Sequence, residues 1–110
     1  MRIILVVCFL AACNMGRYTV QEKHTQTGVG ASVDTLTALG FEVDSATANR
    51  VVTTWERYTV RPANEIQLRI VVVDGTAKGQ CTERKIGAWY FRPCNNKAAL
   101  ERIAQALGEL

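Results

Sequence analysis

Hydrophobic and polar positions change their spacing several times along the chain. Residues 3–10, Ile-Ile-Leu-Val-Val-Cys-Phe-Leu, are an uninterrupted apolar run. From Asn14 to Thr27 the chain is polar and shows no sustained period. Val29, Val33, Leu36 and Leu39 then follow a helical spacing and predict a helix over about 29–39. Gly28 or Gly30 stands where it opens, and Gly40 where a left-handed cap would close it. Two-residue alternation follows. Phe41 and Val43 alternate with Glu42 and Asp44, and Arg50–Val60 is rich in strand-favouring Val, Thr, Trp and Tyr. Phe41–Asp44 and Val51–Tyr58 predict a hairpin across the turn-like Ser45–Asn49. Arg61-Pro62-Ala63-Asn64 breaks the pattern. In Glu65–Val73, Ile66, Leu68, Ile70 and Val72 fall on one face, Gln67 and Arg69 on the other. Asp74-Gly75 begins a turn that Ala77-Lys78-Gly79 continues, and Gln80–Ile86 predicts a fourth strand. Trp89-Tyr90-Phe91 is a fifth strand or a packed loop. Pro93-Cys94-Asn95-Asn96 ends the sheet, and either Asn can cap the next helix. Over Lys97–Leu107, Leu100, Ile103, Ala104 and Leu107 make one apolar stripe, and Gly108 marks the end.

The order is helix, about four strands, helix. Short turns between successive strands imply an antiparallel sheet, and two amphipathic helices can both bury one of its faces. The predicted class is α+β, a two-layer sandwich with an N-terminal and a C-terminal helix on one face. The other face would carry Thr, Glu, Arg and Gln and be wet or meet a partner.

The first residues have a different logic. Arg2 is charged, residues 3–10 are apolar, and Ala11 and Ala12 are small. That is the layout of a secretory signal. The run is far shorter than the roughly 20 residues of a spanning helix. Leu10-Ala11-Ala12-Cys13 resembles the bacterial lipobox, in which a Leu and two small residues precede an invariant Cys. The resemblance implies a diacylglyceryl thioether on Cys13, removal of residues 1–12, and often acylation of the new amino group. Two or more acyl chains, at about 0.8 kcal/mol per buried CH₂, make a stable anchor. In that family Asn14, rather than Asp, after the acylated Cys leans toward the outer membrane over the inner. The organisation that follows is a signal peptide over 1–12, a lipid-anchored flexible tether over 13–28, and one α+β domain over 29–110.

This reading changes the cysteine arithmetic. Of four cysteines, Cys8 leaves with the signal and Cys13 carries lipid. Cys81 and Cys94 remain as a pair in an oxidising compartment, where a disulfide is the natural reading. Free thiols are the alternative, and two Cys are too few ligands for a metal site. A straight strand would hold the two about 40 Å apart, so a bridge requires the chain to turn back near Lys85–Ala88. The net charge of +3 is too weak to argue for nucleic acid, and no block of like charge occurs.

A second resemblance covers about residues 29–75. Ala38-Leu39-Gly40-Phe41-Glu42-Val43, a polar turn, then Arg50-Val51-Val52-Thr53-Thr54-Trp55-Glu56 is similar to the repeated domain of the lipoprotein C subunit (BamC) of the outer-membrane β-barrel assembly machine. That subunit has two such domains and a long N-terminal segment for its partners. This chain has one domain and a short tether, so the resemblance implies a fold and leaves the partner open.

Little in the chain points to catalysis. His24 is the only histidine and sits in the tether, so no Ser-His-Asp set can form around it. Gly28-Val29-Gly30 lacks the strand and Lys of a phosphate loop. Asp34, Glu42, Asp44 and Glu56 are acids on separate elements. No enzyme, cofactor or metal site is expected. Trp89, Tyr90 and Phe91 are the candidate contact residues, since alternation would leave at least one exposed. Two functions follow. The first is an envelope lipoprotein, facing the periplasm from the outer membrane, that acts as an adaptor or structural subunit for another envelope protein. The second is a binding module for a peptidoglycan fragment or lipid. Mass spectrometry of the mature N-terminal peptide should find an acylated Cys13; an unmodified N-terminus at another residue would refute the anchor.

Overall fold

A computed structural model of the chain describes residues 18–25, 27–60, 64–87 and 90–110. The elements run β1 (Thr19–His24), α1 (Val29–Ala38), β2 (Val43–Ala46), β3 (Arg50–Thr53), β4 (Glu56–Val60), β5 (Asn64–Val73), β6 (Thr76–Lys85), β7 (Arg92–Pro93) and α2 (Lys97–Glu109). The lipobox, Cys13 and Trp89 lie outside the described residues. The class is α+β, with one antiparallel sheet and two helices.

Among the described residues the sheet has seven strands, which corrects the expectation of about four. The backbone order is β1-β6-β5-β3-β2, with β4 beside β5 and β7 beside β6. Each added strand has a local cause. The stretch read as one strand over 50–60 is interrupted at Thr54-Trp55, so β3 pairs one half of β5 and β4 the other. Asp74 and Gly75 both take positive φ, 49° and 79°, as the two central residues of a type I′ hairpin turn do. The turn therefore needs only those two residues, and β6 starts at Thr76 instead of Gln80. That lengthened β6 offers a second edge, and β1 pairs along it from Thr19↔Gln80 to His24↔Thr76. The tether expected over 13–28 is corrected accordingly. Residues 19–24 belong to the sheet, because an unpaired β6 edge would leave a row of backbone N–H and C=O groups without partners.

One face carries the core. Ile66, Leu68, Ile70 and Val72 of β5 lie beside Ala77 and Cys81 of β6 and Val51 of β3, all buried with Leu36 of α1 and Ile103 and Leu107 of α2. Both helices therefore share a single core on this face. Gly28 is the N-cap of α1, and the chain reverses after the helix at Gly40, φ 92°. α2 is capped by the Asn96 side chain, which accepts from the Ala99 N–H at 3.0 Å. Its buried stripe is Ala99, Ile103, Ala106 and Leu107, while Ala104 is exposed. The stripe is turned by about one residue from the expected one because Leu110, beyond Gly108, also packs into the core. Gly108 lies inside the helix instead of ending it.

Cys81 and Cys94 are disulfide-bonded, with Cα atoms 5.4 Å apart. The chain turns back at Ile86-Gly87, where Gly87 has φ 93°. The Cys94 N–H also donates to the Cys81 carbonyl, 3.2 Å. The bond fixes the segment entering α2 onto the middle of β6. Closing a loop of this size stabilises by on the order of 3 kcal/mol.

Gly79 sits opposite Ile70, directly under α2. A Cβ there would lie 2.0 Å from Ile103 Cγ2 and 3.2 Å from its Cβ. Ile103 is branched at Cβ and has no room to swing aside, so only a residue without Cβ lets α2 approach. Gly79→Ala should cost about 1–3 kcal/mol by overpacking, read as a lower urea midpoint. The Gly79→Ala/Ile103→Ala pair should lose less than the sum of its singles. Additive losses would show that the contact does not set the spacing.

Candidate functional site

The second face of the sheet, expected to be wet or to meet a partner, also carries valines beside its Thr, Glu, Arg and Gln. Ile70-Val71-Val72-Val73 is continuous, so Val71 and Val73 point away from the helices, opposite Lys78 and Thr76 of β6 and beside Val52 and Arg50 of β3. Val71 is 2% exposed and Val52 6%. Both helices lie on the other face, and among the described residues no helix packs here.

Two rows of side chains cross this face. In the first, the Arg69 guanidinium lies 4.4 Å from the Trp55 ring centroid. Its Nε donates to Gln80 Oε1 at 2.8 Å, and Gln80 reaches Thr19 Oγ1 at 3.5 Å. The row thus links the β3–β4 junction, β5, β6 and β1. In the second, Gln67 Nε2 donates to Glu65 Oε1 at 2.8 Å, and Arg84 pairs with Glu65 at 3.4 Å. Arg84 also lies over the Phe91 ring at 4.9 Å. A guanidinium on an aromatic face is held without losing all its donors. Burial and the nearby Arg50 pull Arg69 below its ordinary pKa.

The expected contact residues separate. Phe91 is half-buried under Arg84 and belongs to this face. Tyr90 is 57% exposed in the β6–β7 connection. Neither lies on a strand, since β7 begins at Arg92. The stacked arginines Arg69 and Arg84 were not singled out by sequence reading. Alternation along β5 already turns Arg69 to this face, but its meeting with Trp55 depends on β4 pairing β5, which no spacing reveals.

On the helix face, Glu56 of β4 is held by Arg102 of α2 through two bonds, Nη2 to Oε1 at 2.6 Å and Nε to Oε2 at 2.7 Å. Tyr58 donates to the same carboxylate. Arg102 also donates to the Leu39 carbonyl at 3.3 Å and covers the Phe41 ring at 4.1 Å. One side chain thus ties α2 to β4 and to the end of α1. A carboxylate so engaged is a clamp and is poorly placed as a proton donor. Beside it, Tyr58, Thr59, Asn96, Ala98, Ala99 and Arg102 line a groove of about 390 Å³. His24 borders a wide depression of about 570 Å³ with Glu22, Lys23 and Asp74. Among the described residues no group of three or more His, Cys, Asp or Glu is placed to hold a metal, and no helix is long and apolar enough to cross a membrane.

No protein-family model and no curated protein sequence matches the chain.

Burial acts to raise the Glu56 pKa, but the bonds from Arg102 and Tyr58 and the Arg102 charge outweigh it and hold the carboxyl below its ordinary value. A depressed folded-state pKa stabilises fully above the unfolded value of about 4.3 and is lost as pH falls through the folded one. Wild-type stability should therefore drop on acidification below about pH 4.3, and Glu56→Gln should flatten that drop. At pH 7 the variant should lose about 1–3 kcal/mol. Urea midpoints from pH 7 to 3 measure both, and an unchanged acid slope would remove Glu56 as the linked group.

Proposed function

We propose that this chain is a lipid-anchored adaptor of the bacterial envelope, held by acyl chains on Cys13, whose second sheet face receives another envelope protein. The outer membrane, facing the periplasm, is its place by the Asn14 argument, and the fold resemblance to the assembly-machine lipoprotein domain is part of this reading. The observation that carries it is the apolar content of a face on which no helix packs among the described residues. A strand with one wet face alternates, whereas a strand covered on both faces reads as a continuous apolar run. β5 changes from the first pattern to the second at Ile70. There Val73 is half-buried beside the buried Val52 and Val71; the Arg69–Trp55 stack comes next along β5, and the Arg84–Phe91 stack lies farther along, level with Glu65. Aromatic and Arg side chains beside apolar ones are the composition of interface cores.

The groove at Tyr58 and Asn96 supports a second reading, a module for a small envelope ligand. It is partly apolar and has the Asn96 and Arg102 side chains on its wall. It is near the lower end of the size range for ligand pockets, so the adaptor reading is preferred.

Photo-crosslinking in the source cells tests the choice. A benzophenone side chain replacing Val73 or Lys78, on the second face, should give one discrete adduct of higher mass. The same group replacing Glu101, on the exposed side of α2, should give none. Adducts at neither face position would reject the adaptor reading. Purified protein carrying lipid or glycan, with substitution of Ala98 by Trp abolishing its retention, would favour the ligand module.

A further inference from the structure

Ile86, Tyr90 and Tyr58 are the large apolar side chains the fold leaves exposed among the described residues, at 56%, 57% and 39%. Two of the three share one short connection, between β6 and β7. Lys85, also exposed, stands at its start. Arg92, at its end, reaches back to Glu83 at 2.7 Å with 58% of its side chain exposed. Aliphatic and tyrosyl groups flanked by long cationic side chains suit the boundary between bilayer and water. Rings and alkyl groups sit there among the headgroups while the charged ends stay wet.

The position of the N-terminal chain makes this choice of surface specific. The Cys81 N–H donates to the Tyr18 carbonyl at 2.9 Å, so Tyr18 is level with Cys81 on β6. β1 runs antiparallel to β6, so its N-terminal end is directed toward the Lys85 end of β6. Cys13 is five residues before Tyr18, and Ile86 five residues after Cys81. Five residues reach at most about 18 Å, and five strand residues cover about 17 Å. Acyl chains on Cys13 are thus within reach of the level of the Ile86–Tyr90 connection. At the other end of β6, about 30 Å away, the Asp74-Gly75 turn is joined to the β2–β3 turn. There Asn49 Nδ2 donates to Asp74 Oδ1 at 2.9 Å.

We infer that Ile86 and Tyr90, with Lys85 beside Ile86, form a second membrane contact that rests in the interface of the leaflet holding the Cys13 lipid. The inference rests on the lipid-anchor reading and adds an orientation to it. β6 stands away from the bilayer, the Asp74 turn is farthest from it, and the second sheet face points sideways.

The full chain, purified with its native N-terminus and reconstituted in phosphatidylethanolamine/phosphatidylglycerol vesicles, provides the test. p-Benzoylphenylalanine replaces Ile86, Tyr90 or, as control, Thr47 in the distant β2–β3 turn. After irradiation, intact-mass spectrometry should show one added phospholipid for the Ile86 and Tyr90 positions and none for Thr47. No lipid adduct at either tip position, or equal adducts at all three, would overturn the contact. The same spectrum reads the mass at Cys13 separately. Acylated Cys13 without tip adducts leaves the anchor standing and removes the contact. Tip adducts with unmodified Cys13 remove the anchor and keep the contact.

Discussion

The register of the β5–β6 hairpin decides where nearly every other group lies. It is set by two residues in left-handed conformation, Asp74 and Gly75. From that turn the strands pair without interruption through Val73↔Thr76, Ile70↔Gly79, Leu68↔Cys81 and on to Asn64↔Lys85. A slip of one residue would exchange the faces of the whole strand. Gly79 would no longer lie under Ile103, and a side chain would block α2. Cys81 would leave the core face and part from Cys94. Arg69 and Gln80 would turn inward, where two long polar groups have no partners and would cost several kcal/mol. The turn thus selects one register, and packing, disulfide and the polar rows each penalise the alternatives.

The second determinant is the position of α2. Its middle is fixed by the absence of a side chain at Gly79, and its entry by the Cys94 bond and the Asn96 cap. Arg102 fixes its rotation. At the far end Lys23 of β1 donates to the Leu107 carbonyl at 3.1 Å. A cation near the last turn of a helix is favourable to the dipole. The edge strand recruited by the longer β6 therefore also helps to close the helix. The core on this side is one small cluster, so these directional contacts complement a modest hydrophobic contribution.

The fold was readable from sequence wherever a period or a cap was local. Both helices, the β2–β3 hairpin and the core face of β5 follow from spacing alone, and the return of the chain at Gly87 follows from the need to join Cys81 to Cys94. What escaped was pairing between distant segments. Thr19–His24 has the alternation of no particular element, and only the free edge of β6 turns it into a strand. The extent of β6 was hidden by Ala77 and Gly79, small residues that look like turn residues until α2 is placed above them. The apolar part of the second face escaped for a similar reason. Gln67 and Arg69 advertise a wet surface, whereas Val71 and Val73, two positions further on, belong to the same row and reverse its character.

These features constrain one another when the lipid anchor is added. A tether of sixteen residues would let the domain wander and leave its orientation undefined. Pairing of β1 leaves five residues from Cys13 to Tyr18, so an anchor on Cys13 would hold the domain at a stand-off smaller than the length of β6 itself. On the proposed anchor, so short a leash would bring Ile86 and Tyr90 to the membrane by proximity, at a high effective concentration of the second contact. Two contacts on one rigid sheet fix its inclination, which a single flexible anchor cannot do. With both proposed contacts made, the face with Val71 and the Arg69–Trp55 stack would stand roughly perpendicular to the bilayer. A neighbouring membrane-bound protein can meet it there by diffusion in two dimensions, with little further ordering on binding.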